Sequence, residues 1–120
     1  MSKKTLVIGA SLKEQRYSNI AIRRLRNYEI ETVAIGLRQG MVGDVIIDTE
    51  LLAYTGIHTI TLYLNSKRQS QYYDYIINLK PQRVIFNPGT ENPEFYEMLE
   101  KNNIDYEVAC TLVLLGTRQY

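Results

Sequence analysis

An apolar run that ends in three small residues constrains the fold more than any other feature of this sequence. Thr5-Leu6-Val7-Ile8 is followed directly by Gly9-Ala10-Ser11. A short continuous apolar run is typical of a strand buried on both faces, as in the centre of a parallel sheet. Small residues after it let a phosphate group approach the backbone before the next helix. The start of the chain therefore predicts the first βαβ unit of a nucleotide-binding fold.

The rest of the chain repeats this alternation of strand and helix. Five strands are predicted, at Thr5–Gly9, Ile30–Ile35, Thr59–Leu64, Arg83–Phe86 and Ile104–Ala109. The connections between them are too long for hairpins, so the strands should be parallel, with right-handed helical crossovers. We predict an α/β fold, a single Rossmann-like doubly wound domain over residues 1–120. Its five-stranded parallel sheet is expected in the order 3-2-1-4-5.

Local signals place the helix ends and the remaining segments. Ser18 is expected to cap a helix that runs to about Tyr28, and Asn92 to cap one that ends near Asn102. A capping box of Ser66 and Gln69 predicts a helix to about Leu79. Three further expectations are a loop at 36–43 followed by a short extended piece at 45–47, a short helix from Thr49 to Ala53, and a final helical turn over 110–115.

Composition excludes several classes of function. The chain has 120 residues, 45% of them hydrophobic, and a net charge of +1 from 14 basic and 13 acidic residues. This balance gives no electrostatic reason to expect nucleic acid or membrane as a partner. Cys110 is the only cysteine, and no spacing of histidine, cysteine or acidic residues suggests a metal site. No signal peptide is evident at the start, so a cytoplasmic protein is expected.

The loops that follow the strands form the candidate site, because ligands of such folds bind beyond the carboxyl ends of the strands, at the topological switch. The predicted switch lies between strands 1 and 4. The loop from Asn87 to Asn92 is expected to turn its carbonyl, amide and hydroxyl groups toward this crevice. The candidate binding residues are Gly9, Ala10, Ser11, Arg16, Tyr17, Ser18, Gly36, Arg38, Asn65, Pro88, Gly89 and Thr90.

Two arginines point to a phosphorylated ligand. Arg16 can pair with a phosphate, and a helix start at Ser18 would present free N–H groups to it. Arg38 follows the second strand, where proteins that bind NAD usually carry an acidic residue for the ribose. A cation there suits an extra ribose phosphate, which NADP and coenzyme A both carry. Ordinary tight turns, a solvated arginine and a flexible surface loop would explain the same residues without a ligand.

The sequence offers few groups for catalysis. His58 begins the third strand, at the end of the sheet opposite the candidate site. Cys110 is the remaining nucleophile, and a lone cysteine in apolar surroundings is usually a buried small side chain. We therefore predict no catalytic residues and an ordinary, slowly reacting thiol at Cys110.

The ordered set of these segments resembles the CoA-binding domain family. That family includes the N-terminal domain of the succinyl-CoA synthetase α subunit and small free-standing bacterial proteins. The segments that carry the resemblance are Val7–Ser11, Arg16–Ser18, Gly43, Asn87–Asn92 and Cys110–Thr111. The resemblance implies that Gly9, Ser11, Arg16 and Ser18 face the pyrophosphate of coenzyme A, and that residues after the second strand face its adenosine end.

The sequence departs from the family at two points. Many members carry Val-x-Pro-Val-Asn-Pro at the end of the second strand, where this chain has Val33-Ala34-Ile35-Gly36-Leu37-Arg38. The second synthetase domain, with its phosphorylated histidine, has no counterpart here, so ligase chemistry is not expected. The expected function is a small cytoplasmic protein that binds coenzyme A or an acyl-CoA, a small-molecule nucleotide ligand, without catalysis. The alternatives are a small NADP-dependent reductase and a regulatory or interaction module that has lost its ligand.

Overall fold

The structure, a computed structural model, describes residues 3–120. Its sheet has seven strands in the order β3-β4-β2-β1-β5-β6-β7. In chain order they are β1 (Thr5–Ala10), β2 (Thr32–Gly36), β3 (Gly40–Val42), β4 (Val45–Asp48), β5 (Thr59–Leu62), β6 (Arg83–Phe86) and β7 (Asp105–Val108). Neighbouring strands are parallel except for the antiparallel pair of β3 and β4. The fold is thus α/β with a mixed, mostly parallel sheet, and the α/β class predicted from the sequence is confirmed.

Helices cover both faces of this sheet. They are α1 (Tyr17–Asn27), α2 (Ser66–Gln69), α3 (Tyr73–Leu79), α4 (Pro93–Lys101) and α5 (Thr111–Gly116), with a 3-10 turn at Ser70–Tyr72 between α2 and α3. Ile22 of α1 and Leu115 of α5 belong to one buried cluster, whereas Ile76 of α3 and Phe95 of α4 belong to another. Apolar stripes of the helices are buried against each face of the sheet, as the doubly wound arrangement requires.

The first strand lies in the middle of the sheet and is buried on both sides. Leu6 and Ile8 pack in the cluster with α3 and α4, and Val7 packs in the cluster with α1 and α5. All three side chains are fully buried. The apolar run Thr5–Ile8 therefore belongs to a central strand, as predicted.

The predicted strand order 3-2-1-4-5 and the count of five strands are wrong. The predicted third strand is β5, and it pairs with β1 instead of β2. The place beside β2 is taken by β4, with Ala34 opposite Ile47. Residues 40–48 lie in the segment expected as a loop and an extended piece, and they form a β-hairpin that turns at Gly43, where φ is 60°. The topological switch therefore lies between β1 and β5.

The hairpin has a physical reason to occupy the edge of β2. It buries Val42, Val45 and Ile47 in the cluster with α1, side by side with Ala34 of β2. Its strands follow β2 closely in sequence, so pairing them closes a much shorter loop than pairing β5 would. With that edge filled, β5 pairs on the free side of β1.

Four local expectations are also wrong. The helix α1 has Arg16 at its N-cap position, and Ser18 is a buried residue of its first turn. Residues 49–53 form no helix. The predicted capping box is replaced by Asn65, whose Oδ1 accepts a hydrogen bond from the Arg68 N–H at 3.2 Å, and the helix predicted to Leu79 is divided by the 3-10 turn.

Two other helix starts agree with the sequence. Asn92 caps α4, with its Oδ1 accepting from the Phe95 N–H at 3.2 Å, and Pro93 is the first helical residue. The last helix, α5, begins directly after Cys110. None of the helices in residues 3–120 is long and apolar enough to cross a membrane.

Candidate ligand-binding site

A cavity of about 640 Å³ opens at the carboxyl ends of β1, β2, β5 and β6. The loops that follow these four strands form its walls, which is where parallel α/β sheets bind their ligands. Every predicted binding residue lines it: Gly9, Ala10, Ser11, Arg16, Tyr17, Ser18, Gly36, Arg38, Asn65, Pro88, Gly89 and Thr90. The structure brings these residues together, and their contact with a ligand stays a prediction.

Seven further residues line the cavity and were missed by the sequence reasoning. They are Leu12, Lys13, Leu37, Tyr63, Leu64, Arg68 and Tyr72. Lys13 lies between the predicted site residues Ser11 and Arg16, and Arg68 lies three residues after Asn65, so their charge could have identified them. Tyr72 lies in the 3-10 turn between α2 and α3, where the sequence predicts a continuous helix, so its position depends on that break.

Gly9 lies at an irregularity of β1 where the loops after β1 and β5 approach each other closely. Its φ is 92°, and the register of β1 against β2 shifts between Ile8 and Ala10. A Cβ atom at Gly9 would lie 2.9 Å from the carbonyl carbon of Tyr63. Only glycine fits this backbone and this contact. The requirement for glycine thus has a structural cause, independent of any phosphate.

Gly36 is required at the neighbouring position for a similar reason. A Cβ atom there would lie 2.3 Å from the carbonyl oxygen of Ala10, across the end of the β1–β2 pair. Real Cβ atoms do not come this close to backbone oxygen. The small residues at the ends of β1 and β2 therefore let the two strands converge at the base of the cavity.

The start of α1 faces the cavity without a side-chain cap. Arg16 occupies the N-cap position but makes no capping hydrogen bond, and Tyr17 and Ser18 form the first turn. The first N–H groups of a helix carry a partial positive charge and attract anions. Ser18, in the first turn of the helix, lines the cavity although the residue is only 4% exposed.

Asn19 holds the loop between β1 and α1 in place. This residue is 1% exposed, and its Nδ2 donates to the carbonyl oxygen of Ser11 at 2.8 Å. The Ser11 hydroxyl in turn accepts from the Lys13 N–H at 3.1 Å. Asn19 was missed from the sequence because an asparagine inside a helix carries no signal of such a long-range contact.

Four cations line the cavity, and no acidic residue of the described part of the chain does. The cations are Lys13, Arg16, Arg38 and Arg68, all exposed. Among residues 3–120, no carboxylate lies within ion-pair distance of any of them. Unpaired cations around a concave site attract an anion by long-range electrostatics and by charge-assisted hydrogen bonds. The electrostatics of this cavity suit a ligand with several negative charges.

The buried side chain of Asn87 holds the loop after β6 in place by hydrogen bonds. Its Nδ2 donates to Thr61 Oγ1 at 2.7 Å and to the Leu62 carbonyl at 2.8 Å, and its Oδ1 accepts from the Thr111 N–H at 2.9 Å. The Thr90 hydroxyl donates to the Asn87 carbonyl at 2.8 Å. The expectation that these amide and hydroxyl groups face the crevice is therefore wrong, because they bond within the protein.

Gly89 of this loop lines the cavity and has open space beside its backbone. Its φ is 91°, and nothing lies within 4 Å of the position that a Cβ atom would take. Its N–H donates to Glu91 Oε1 at 2.9 Å. Gly89 therefore shapes the wall by its backbone conformation, and its N–H is already engaged.

Tyr63 contributes a neutral phenol beside the charged side chains. Burial, the largest influence, raises the pKa of Tyr63 to about 12. The hydroxyl is consequently protonated at neutral pH and cannot serve there as a general base.

His58 and Cys110 are not among the residues that line the cavity. His58 precedes β5, at the end of the sheet opposite the cavity, and its Nδ1 lies 2.7 Å from Thr59 Oγ1. Burial first, then the nearby charges of Arg83 and Lys3, lower the pKa of His58. Cys110 is half-buried at the N-cap of α5. Within residues 3–120 no group of His, Cys, Asp and Glu side chains could hold a metal ion.

A protein-family model described as "CoA binding domain" matches residues 3–116. The chain belongs to the CoA binding domain family. This confirms the family identified from the segments in the first strand, the start of α1 and the loop after β6. A comparison with curated proteins found no match.

Solved structures share the same fold. One, described as the crystal structure of an uncharacterized protein, is 42% identical with a TM-score of 0.97, over 100% of this chain and 99% of the other. A protein from Thermus thermophilus is 19% identical with a TM-score of 0.86, covering 99% and 91% of the two chains. A hypothetical protein from Pyrococcus horikoshii OT3 is 21% identical with a TM-score of 0.85, covering 98% and 84%. The last two similarities show the fold alone.

Proposed function

We propose that this protein binds coenzyme A, free or acylated, in the cavity at the carboxyl ends of β1, β2, β5 and β6. The observation that carries the proposal is the charge of that cavity, four unpaired cations and no carboxylate, in a chain of the CoA binding domain family. Coenzyme A carries a diphosphate and a ribose 3′-phosphate, so its charge complements this lining.

The diphosphate is assigned to the start of α1. Arg16 supplies a guanidinium that can form two parallel hydrogen bonds to phosphate oxygens. The N–H groups of Tyr17 and Ser18 supply the partial positive charge of the helix terminus. Gly9 and Ser11 form the turn beneath, where the backbone leaves room for the phosphate groups.

The ribose 3′-phosphate is assigned to Arg38. This arginine lies in the loop after β2, beside Gly36, and is exposed. The loop after the second strand is where folds of this kind place the ribose of a dinucleotide. A cation at that position favours a phosphorylated ribose over the free hydroxyls of NAD.

Binding without turnover is the form of the function that the lining supports best. The residues that line the cavity include no histidine, cysteine, aspartate or glutamate. These are the side chains that most often transfer protons in acid–base catalysis, and they must lie within hydrogen-bond reach of the substrate to do so. The Tyr63 hydroxyl remains protonated at physiological pH, because its pKa is raised to about 12, so it does not act as a general base there.

The test is a calorimetric titration with coenzyme A, dephospho-coenzyme A, NADP and NAD, together with thermal unfolding in the presence of each ligand. Coenzyme A at a hundred times its dissociation constant should stabilise the fold by about 2.7 kcal/mol. For a domain of this size that raises the melting temperature by about 10 °C. NAD should leave it unchanged.

The 3′-phosphate assignment has its own control within the panel. Dephospho-coenzyme A should bind at least roughly tenfold more weakly than coenzyme A to the wild type, because one charge-assisted contact is lost. In Arg38→Ala the two ligands should bind alike. A response to NADP that equals the response to coenzyme A would favour a reductase. No response to any of the four would favour an interaction module.

A further inference from the structure

One buried side chain joins two walls of the cavity from behind. Gln69 lies at the end of α2, is 0% exposed, and is not among the residues that line the cavity. Its Nε2 donates to the carbonyl oxygens of Leu64 and Thr90, each at 2.8 Å. Leu64 belongs to the loop after β5 and Thr90 to the loop after β6, and both line the cavity. A single amide group therefore connects these two walls.

The amide of Gln69 is fully engaged. Its Oε1 accepts from Asn92 Nδ2 at 2.9 Å, so both donors and the acceptor have partners. Asn92 also donates to the Tyr73 hydroxyl at 2.7 Å and caps α4 through the Phe95 N–H. A buried polar network in which every member is satisfied holds one geometry, because any other arrangement would leave a buried group unbonded.

The segment that carries Gln69 needs such an anchor. The helix α2 has four residues, and helices this short are not stable by themselves in water. Asn65, Arg68 and Tyr72 project from this segment into the cavity and are exposed or half-exposed. Gln69 is the only residue of α2 that is buried. The placement of the cavity-lining side chains on either side of it therefore depends on its contacts.

We propose that Gln69 is a positioning residue for ligand binding. It holds the segment of Asn65 and Arg68 at a fixed distance from the loop of Gly89 and Thr90. The backbone that carries Arg68 is then already in position when an anionic ligand binds. The inference rests on the proposed function, because it assigns Gln69 a role in binding coenzyme A without contact to the ligand.

The first test is a double-mutant cycle measured by calorimetry with coenzyme A. Gln69→Met keeps the length of the side chain and removes both donors, and it should weaken binding roughly tenfold. If Gln69 acts through Arg68, then Arg68→Ala should weaken binding in the wild type but by a much smaller factor in Gln69→Met. Arg16→Ala, at the start of α1, should lower affinity by the same factor in both backgrounds. Equal factors for Arg68→Ala in the two backgrounds would overturn the proposal.

The second test needs no ligand. Hydrogen exchange at the Arg68 and Thr90 amides, which donate to Asn65 and Asn87, should be at least tenfold faster in Gln69→Met. The Tyr63 amide, which donates to the Ile8 carbonyl, is the control and should not change. If exchange is faster in Gln69→Met but the wild type does not bind coenzyme A, the proposed ligand is refuted and the anchoring role is retained. Unchanged exchange in a protein that binds would refute the anchoring role alone.

A measurement on the wild type covers the case in which Gln69→Met does not fold. The side-chain amide protons of Gln69, held by two buried carbonyls, should exchange far more slowly than those of exposed Gln71, whose Nε2 lies 3.4 Å from the Arg68 carbonyl. Similar exchange rates for the two side chains would show that Gln69 does not hold the walls together.

Discussion

Removal of the Arg16 guanidinium should weaken the binding of coenzyme A while leaving the fold intact. Arg16 is exposed, and no carboxylate among residues 3–120 lies within ion-pair distance of it. Its side chain makes no capping hydrogen bond to α1. Arg16→Ala should consequently change the free energy of unfolding of the unliganded protein by less than about 0.5 kcal/mol.

The expected loss of affinity follows from the kind of contact removed. A hydrogen bond to a charged group contributes about 1.5–3 kcal/mol. That range corresponds to a roughly 10- to 150-fold increase in the dissociation constant of coenzyme A. Since the contact is electrostatic and the site is open to solvent, the ratio between wild type and variant should shrink as salt is added.

Isothermal titration calorimetry at two salt concentrations measures the dissociation constant of coenzyme A for the wild type and Arg16→Ala, with Arg24→Ala as the matched control. Arg24 is an exposed arginine of the same helix that does not line the cavity. Its removal lowers the net charge equally but should scarcely change the affinity. If Arg16→Ala and Arg24→Ala bind coenzyme A with the same affinity, the assignment of the diphosphate to the start of α1 is wrong.

Three further predictions concern the base of the site. Gly36→Ala places a Cβ atom 2.3 Å from the Ala10 oxygen and should destabilise the fold by about 3 kcal/mol in urea unfolding. In the control Gly89→Ala only the positive φ causes strain, so the free energy of unfolding should fall by about 1 kcal/mol. Equal losses in the two variants would contradict the steric argument. Asn87→Ala removes three buried hydrogen bonds and should lower the free energy of unfolding by about 3 kcal/mol. A decrease below about 1 kcal/mol would show that water replaces these hydrogen bonds. Because the pKa of Tyr63 is raised to about 12, its contribution to stability is complete below pH 10 and is lost as the pH rises through 12. Tyr63→Phe should therefore unfold less readily than wild type in alkali, and identical alkaline unfolding curves would refute this.

The candidate site could be assembled from the sequence because the fold class alone determines which loops meet. Once the chain is an alternation of parallel strands and helices, the loops after Ile8, Ile35 and Phe86 must lie at one edge of the sheet. This holds for any order of the strands. All predicted binding residues therefore line one cavity, although the predicted order of the strands is wrong.

The roles of polar side chains that bond to distant parts of the chain were predicted less well. Ser66 and Gln69 match a capping box, yet Asn65 caps the helix and Gln69 is directed into the protein. The amide of Asn87 was expected in the crevice and instead joins β5, β6 and α5. In each case the side chain bonds to groups distant in sequence, and those groups have no position until the strands are paired.

The sequence by itself determined the elements whose signals are local. The buried central strand at Thr5–Ala10 follows from a continuous apolar run, and the start of α4 follows from Asn92 and Pro93, because such preferences act within one strand or one helical turn. Only the tertiary structure decided which strands are neighbours. The edge of β2 could accept either β4 or β5, and the choice depends on competing loop closures and on burial of the hairpin against α1. The role of Gln69 also depends on this pairing, because its partners Leu64 and Thr90 are brought together only when β5 and β6 are neighbours.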